Sequence, residues 1–131
     1  MSVKGSINLI ESTGDSYSKW NWGNPKSAPT YGHAYTEYGS HLKPQSLINR
    51  ASNKGFQIGQ WLDQTSVSKF ISGVAKNGPG VYDEVLPSNV SGRSFLGDGT
   101  ELSTDMARIV VGKDGSITTA FPYNSEYPTM K

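Results

Sequence analysis

The sequence predicts an α+β domain in which N-terminal helices pack on a C-terminal antiparallel sheet of about four strands. Three observations carry this expectation. Two helix-period apolar stripes lie before residue 76, four short runs of β-formers follow Gly80, and 15 glycines and 7 prolines place turns between short elements.

The first helix is expected over Lys43 to Asn53. Pro44 suits a first-turn position, Leu47, Ile48 and Ala51 share a face, and Gly55 stands where a C-terminal stop belongs. A second is expected from about Ser66 to Ala75, with Thr65 or Ser66 as cap and Val67, Phe70, Ile71 and Val74 on one stripe; Asn77-Gly-Pro-Gly80 ends it. Trp61 and Leu62, in the connection, are expected to pack beneath both helices. His33 to Gly39 is read as a further helical turn.

Beyond Gly80 the strands are expected at Val81 to Leu86, Gly92 to Leu96, Met106 to Val111 and Ser116 to Tyr123, with hairpin turns at Gly97-Asp-Gly99 and Lys113-Asp-Gly115. In the last strand, alternation puts Ile117, Thr119 and Phe121 on one face and Thr118 and Ala120 on the other, with Pro122 as its end. Residues 1–31 read as an irregular arm, with a short strand near Ile7 to Ile10 and with Tyr17, Trp20, Trp22 and Tyr31 covering one edge of the core. Residues 32–131 then form a single domain, the size that one core supports.

Composition narrows the chemistry. The chain has no cysteine, which removes disulfides, thiolate metal sites and a Cys nucleophile together. No HExxH pattern, close Asp cluster or calcium loop is present, so a metal-free mechanism is favoured, and no cofactor is expected. With a net charge of +1, any hold on nucleic acid must come from a local cluster of cations. No stretch approaches the roughly 20 apolar residues of a membrane span, and the N-terminus lacks the basic start and apolar run of a signal peptide, so no membrane partner is expected.

Tyr31-Gly-His-Ala-Tyr-Thr-Glu-Tyr-Gly39 packs a histidine, three tyrosines and a glutamate into nine residues with little aliphatic content. If it is helical, His33 and Glu37 lie one turn apart, where the carboxylate orients the imidazole or holds its proton. RNA cleavage by 2′-hydroxyl attack needs a base for the 2′ proton and an acid for the leaving 5′-oxygen. His33 is the leading candidate; His41, beside a helix start, ranks below it as a capping or surface residue. Arg50, Arg93 and Arg108 each offer a planar fork to a phosphate, or else a surface charge or ion pair, and Arg108, inside a β-rich apolar strand, is the hardest to explain as solvent filler. Thr118 or Thr119 could donate to a phosphate oxygen and Tyr123 could stack on a nucleotide, though both threonines also suit a plain strand.

Gly32-His-Ala-Tyr-Thr-Glu-Tyr-Gly39, Leu47-Ile-Asn-Arg50, Gly59-Gln-Trp-Leu-Asp63, Ala107-Arg-Ile-Val110 and Thr119-Ala-Phe-Pro122, taken in order, resemble small RNase domains of polymorphic toxins from contact-dependent inhibition systems, including the group labelled toxin type 35. The resemblance spans roughly residues 32–123. It implies the C-terminal toxic domain of a larger secreted or surface-displayed bacterial effector, with a helical N-terminal half and a four-stranded sheet as in the barnase, EndoU, colicin and RelE group. Such a domain cuts RNA, with transfer RNA a candidate, in the cytoplasm of a target cell. A cognate immunity protein holds it harmless at home, and a translation factor of the target cell is a candidate partner.

The sequence also resembles disulfide-free bacterial RNase A-like toxins, whose site joins a histidine, an arginine one helix later and a Thr-x-Tyr pair on a late strand. His33, Arg50 and Thr119 match, but the aromatic position holds Phe121, which removes a hydroxyl that Tyr123 would have to supply. Tyr38 stands where toxins of the first kind often carry a second histidine. These resemblances imply His33, Arg50, Arg108 and Thr119 as the catalytic set, with Tyr35, Glu37, Thr118 and Tyr123 on the substrate, and products ending in a 2′,3′-cyclic phosphate and a 5′-hydroxyl. The competing expectations are a protein- or glycan-binding module and a toxin of other chemistry, such as ADP-ribosyl transfer.

Overall fold

The computed structural model describes residues 31–129. Apart from Tyr31, the expectations for the N-terminal arm, including the strand near Ile7 to Ile10, lie outside the described residues.

The chain is α+β. It runs through α1 (His33–Thr36), α2 (Pro44–Lys54), β1 (Ile58–Trp61), α3 (Gln64–Ala75), β2 (Gly80–Val85), β3 (Gly92–Phe95), β4 (Glu101–Ser103), β5 (Met106–Val111) and β6 (Ile117–Tyr123). The expected α2 lies within a residue of its place, with Pro44 in the first turn and Gly55 left-handed at φ 80° as the stop. α3 begins two residues earlier than Ser66 because Asp63 occupies the cap position, its carboxylate accepting from the Ser66 hydroxyl at 2.6 Å.

Instead of one sheet, the strands among the described residues form two antiparallel three-stranded sheets, in the orders β1-β3-β4 and β2-β5-β6. β1 and β4 carry no turn-bounded alternating signal of their own; all four residues of β1 are buried, and β4 is three residues long. The Gly97-Asp-Gly99 turn joins β3 to β4, with Gly99 at φ 94° and Asp98 accepting from the Thr100 amide at 2.9 Å. The Lys113-Asp-Gly115 turn joins β5 to β6.

The sheets meet at Pro122, which lies inside β6 and does not end it. A Cβ on Gly59 would lie 2.1 Å from the Pro122 carbonyl oxygen, and one on Gly92 would lie 2.8 Å from its Cβ. The missing side chains of β1 and β3 therefore make the notch into which β6 fits. Trp61, fully buried, closes the junction by donating its Nε1 to the Ala120 carbonyl at 3.0 Å. Its neighbour Leu62 does not pack beneath the helices but stands 42% exposed in the connection just past β1, where its amide donates to the Ser91 carbonyl at 3.0 Å.

Leu47 and Ala51 of α2, Val67 and Ile71 of α3, and Ala107, Ile109 and Ala120 of the second sheet are all buried in one core. Each fully buried large apolar side chain contributes about 1.5–3 kcal/mol, so the core is the main source of stability.

Candidate active site

α1 is short, and its place is set by the stripe Tyr31, Ala34 and Tyr38, all buried, at spacings of three and four. Two of the aromatics in the sequence cluster are thus core. The Tyr31 hydroxyl lies 3.2 Å from the Ser72 hydroxyl of α3. The opposite side of the turn leaves His33 and Glu37 in solvent.

Gly32 brings this turn against β6. It has φ 57°, and a Cβ there would lie 2.4 Å from the Thr118 carbonyl oxygen and 2.5 Å from that of Ile117. Only glycine permits so close a backbone approach at that φ, and the approach sets His33 beside Thr118.

Nδ1 of His33 lies 2.8 Å from Oε2 of Glu37. The other carboxylate oxygen is 3.7 Å from Nη2 of Arg50, whose Nη1 donates to the Glu37 main-chain carbonyl. The Arg50 guanidinium carbon stands 5.1 Å from the centre of the Tyr38 ring. Burial pushes the Tyr38 phenol up to about 12 against the opposing pull of Arg50, so it stays neutral and is a poor proton donor at neutral pH.

These groups face a cleft of about 240 Å³ closed by Lys54, Ile58, Thr118 and Thr119. A larger hollow of about 330 Å³ lies by Gly55, Phe56, Leu96 and Pro128, but no ionisable side chain lines it. The chemistry therefore points to the smaller one.

Both threonines reach the cleft because β6 carries a bulge. Val110 pairs with Thr119 and Val111 with Ile117, which leaves Thr118 as the extra residue. Simple alternation put Ile117 and Thr119 on one face. Instead, Ile117 turns into the core with Ala120, while Thr119 lies on the face of Val110.

Of the residues expected to carry chemistry, His33, Glu37, Arg50, Thr118 and Thr119 are brought together. Arg108, Tyr123 and Tyr35 do not line this cleft. Arg108 grips Asp83 with Nε at 2.9 Å and Nη2 at 3.3 Å, and the Tyr123 hydroxyl donates to the same carboxylate at 2.9 Å. Burial raises the Asp83 carboxyl, but the hydrogen bonds from Arg108 and Tyr123 outweigh it and hold the group below its ordinary value. Tyr35 stacks on His41 with ring centres 4.3 Å apart. Arg93 is engaged by Gln60 at 2.9 Å and Glu101 at 3.4 Å.

Sequence reasoning missed Lys54 and the supporting part of Tyr38. The spacing of Lys54 four residues after Arg50 on one helix was the available signal for the first; for Tyr38 it was the buried stripe with Tyr31 and Ala34.

With Nδ1 held by a carboxylate, a neutral His33 carries its proton there and keeps Nε2 as the basic nitrogen. The site can thus take a proton from a hydroxyl brought into the cleft, with cations and threonine hydroxyls beside it. Among the described residues, no group of three or more His, Cys, Asp or Glu could hold a metal ion, and no helix is long and apolar enough to cross a membrane.

No protein-family model matches the chain, and no curated protein sequence or solved structure matches it.

Proposed function

We propose that the protein is a ribonuclease toxin domain that cleaves RNA without a metal, by attack of the substrate's own 2′-hydroxyl on the adjacent phosphate. The observation that carries this reading is the carboxylate-held imidazole of His33 in a cleft that also holds Arg50, Thr118 and Thr119.

His33 Nε2 takes the 2′ proton, the 2′-oxygen bonds to phosphorus, and the bond from phosphorus to the 5′-oxygen breaks, that oxygen taking its proton from solvent water at the exposed cleft. The products are a 2′,3′-cyclic phosphate and a 5′-hydroxyl. Glu37 fixes the imidazole and balances the charge it gains; Thr118 and Thr119 donate to the phosphate oxygens. Arg108, Tyr123 and Tyr35 act outside the cleft in this reading, as framework or on more distant parts of the RNA.

The motif order extends the proposal to a domain carried by a larger secreted or surface-displayed bacterial effector and acting in the target-cell cytoplasm. A cognate immunity protein would neutralise it, transfer RNA is a candidate substrate, and a translation factor of the target cell is a candidate helper.

The test is incubation of the 131-residue chain and its His33→Ala variant with total bacterial RNA in EDTA, followed by mapping of new ends. Discrete cleavage with cyclic phosphate ends, lost in the variant, is the expected result. Intact RNA with and without cell extract would overturn the reading.

A further inference from the structure

We propose that Lys54 is the residue that holds the scissile phosphate, and that Arg50 is a positioning residue for Glu37; this inference rests on the ribonuclease reading above.

Charge balance in the cleft carries the argument. Glu37 bears one negative charge and Arg50 one positive, and the two are held together: Nη1 of Arg50 donates to the Glu37 carbonyl and Nη2 faces its carboxylate at 3.7 Å. With His33 neutral, as a base must be, the three groups sum to zero. A phosphodiester entering with one negative charge finds no net countercharge in them; the second charge, gained as the 2′-oxygen bonds to phosphorus, is matched by the proton His33 takes up, and the first is still unmatched.

Lys54 supplies it. It sits in the last turn of α2, one turn beyond Arg50, exposed and lining the same cleft. Among the described residues its side chain makes no ion pair or hydrogen bond, so its ammonium need not give up a partner to take a phosphate. The other described arginines are engaged elsewhere, Arg93 with Gln60 and Glu101 and Arg108 with Asp83, and none of the other described lysines lines the cleft. The ammonium is a compact charge with three donors on a flexible stem, suited to following a phosphate whose oxygens move as it becomes pentacovalent.

The two cations can be told apart by binding as well as by turnover. Binding of a 2′-O-methyl oligoribonucleotide, which lacks the attacking hydroxyl, is measured over a range of salt for wild type, Lys54→Met and Arg50→Lys, alongside cleavage of the matching RNA. Lys54→Met is expected to lower kcat/KM by about 10²-fold and to flatten the salt dependence by about 0.7, the slope of one single-strand phosphate contact. Lys54→Arg should recover most of both. Arg50→Lys is expected to lower kcat and leave the salt slope unchanged.

Wild-type cleavage and salt slope in Lys54→Met, or a flattened slope in Arg50→Lys alone, would overturn the assignment while leaving the ribonuclease reading intact. No cleavage of RNA by wild type would remove both.

Discussion

His33 and Glu37 are joined across a single helical turn, Nδ1 to Oε2 at 2.8 Å, on the solvent side of a segment whose other side is buried by Tyr31, Ala34 and Tyr38. The pairing itself is partly exposed and adds little to stability. Its consequence is orientation: the ring that borders the cleft is held by one nitrogen and left basic at the other.

Loss of the base and loss of its holder should therefore differ in size. His33→Ala is expected to lower kcat/KM on RNA by about 10²–10⁴-fold, the usual worth of a general base. Glu37→Gln keeps the shape but not the charge, and should cost about tenfold, mostly in kcat. Equal activity of Glu37→Gln and wild type would show that the carboxylate is not needed.

Gly32→Ala tests how the turn is docked. A side chain there meets the Thr118 carbonyl and sits at a φ that glycine alone adopts freely. The expected cost is about 1–3 kcal/mol from the backbone conformation, before any clash. A fall in Tm of roughly 5–10 °C, with a loss of cleavage larger than the loss of folded protein, is the outcome to look for.

Thr119→Val exchanges a hydroxyl for a methyl at nearly constant volume. If the hydroxyl donates to a charged phosphate oxygen, kcat/KM should fall by roughly 10-fold or more. Thermal unfolding should hardly change, since the residue is only half-buried and β-branched side chains suit a strand.

Tyr38 predicts behaviour in alkali. Its phenol is raised from 10.0 to about 12 in the folded chain, chiefly by burial. A raised folded value means stability that is complete below pH 10 and is lost as pH climbs through 12. Unfolding free energies measured from pH 9 to 12 should decline by on the order of 2 kcal/mol more in wild type than in Tyr38→Phe.

Much of this fold was legible beforehand. The stripes of α2 and α3 and the Pro44 start and Gly55 stop of α2 are local features, and both hairpin turns rest on the φ freedom of a glycine after an aspartate, so each was visible within a few residues; the cap of α3 was not, since Asp63 takes it in place of Thr65 or Ser66. β1 and β4 were not. One is buried end to end and the other is three residues long, and neither length nor period separates such runs from loop. The site divides the same way. His33 and Glu37 were legible as an i,i+4 pair, whereas the spacing of Lys54 four residues after Arg50 is common among surface cations, and only its neighbours in the cleft single it out.

By itself, then, the sequence determined the α+β class, two helices, both ends of the first, the two glycine turns and the spacing of the histidine-glutamate pair, because each depends on spacing within one element. The tertiary structure alone decided that Arg108 is bound to Asp83 and does not line the cleft, that a bulge turns both Thr118 and Thr119 to it, and that Arg50 is committed to Glu37 while Lys54 is not. Those outcomes depend on which strands pair and in what register, and pairing is a competition between segments far apart in the chain that no local pattern records.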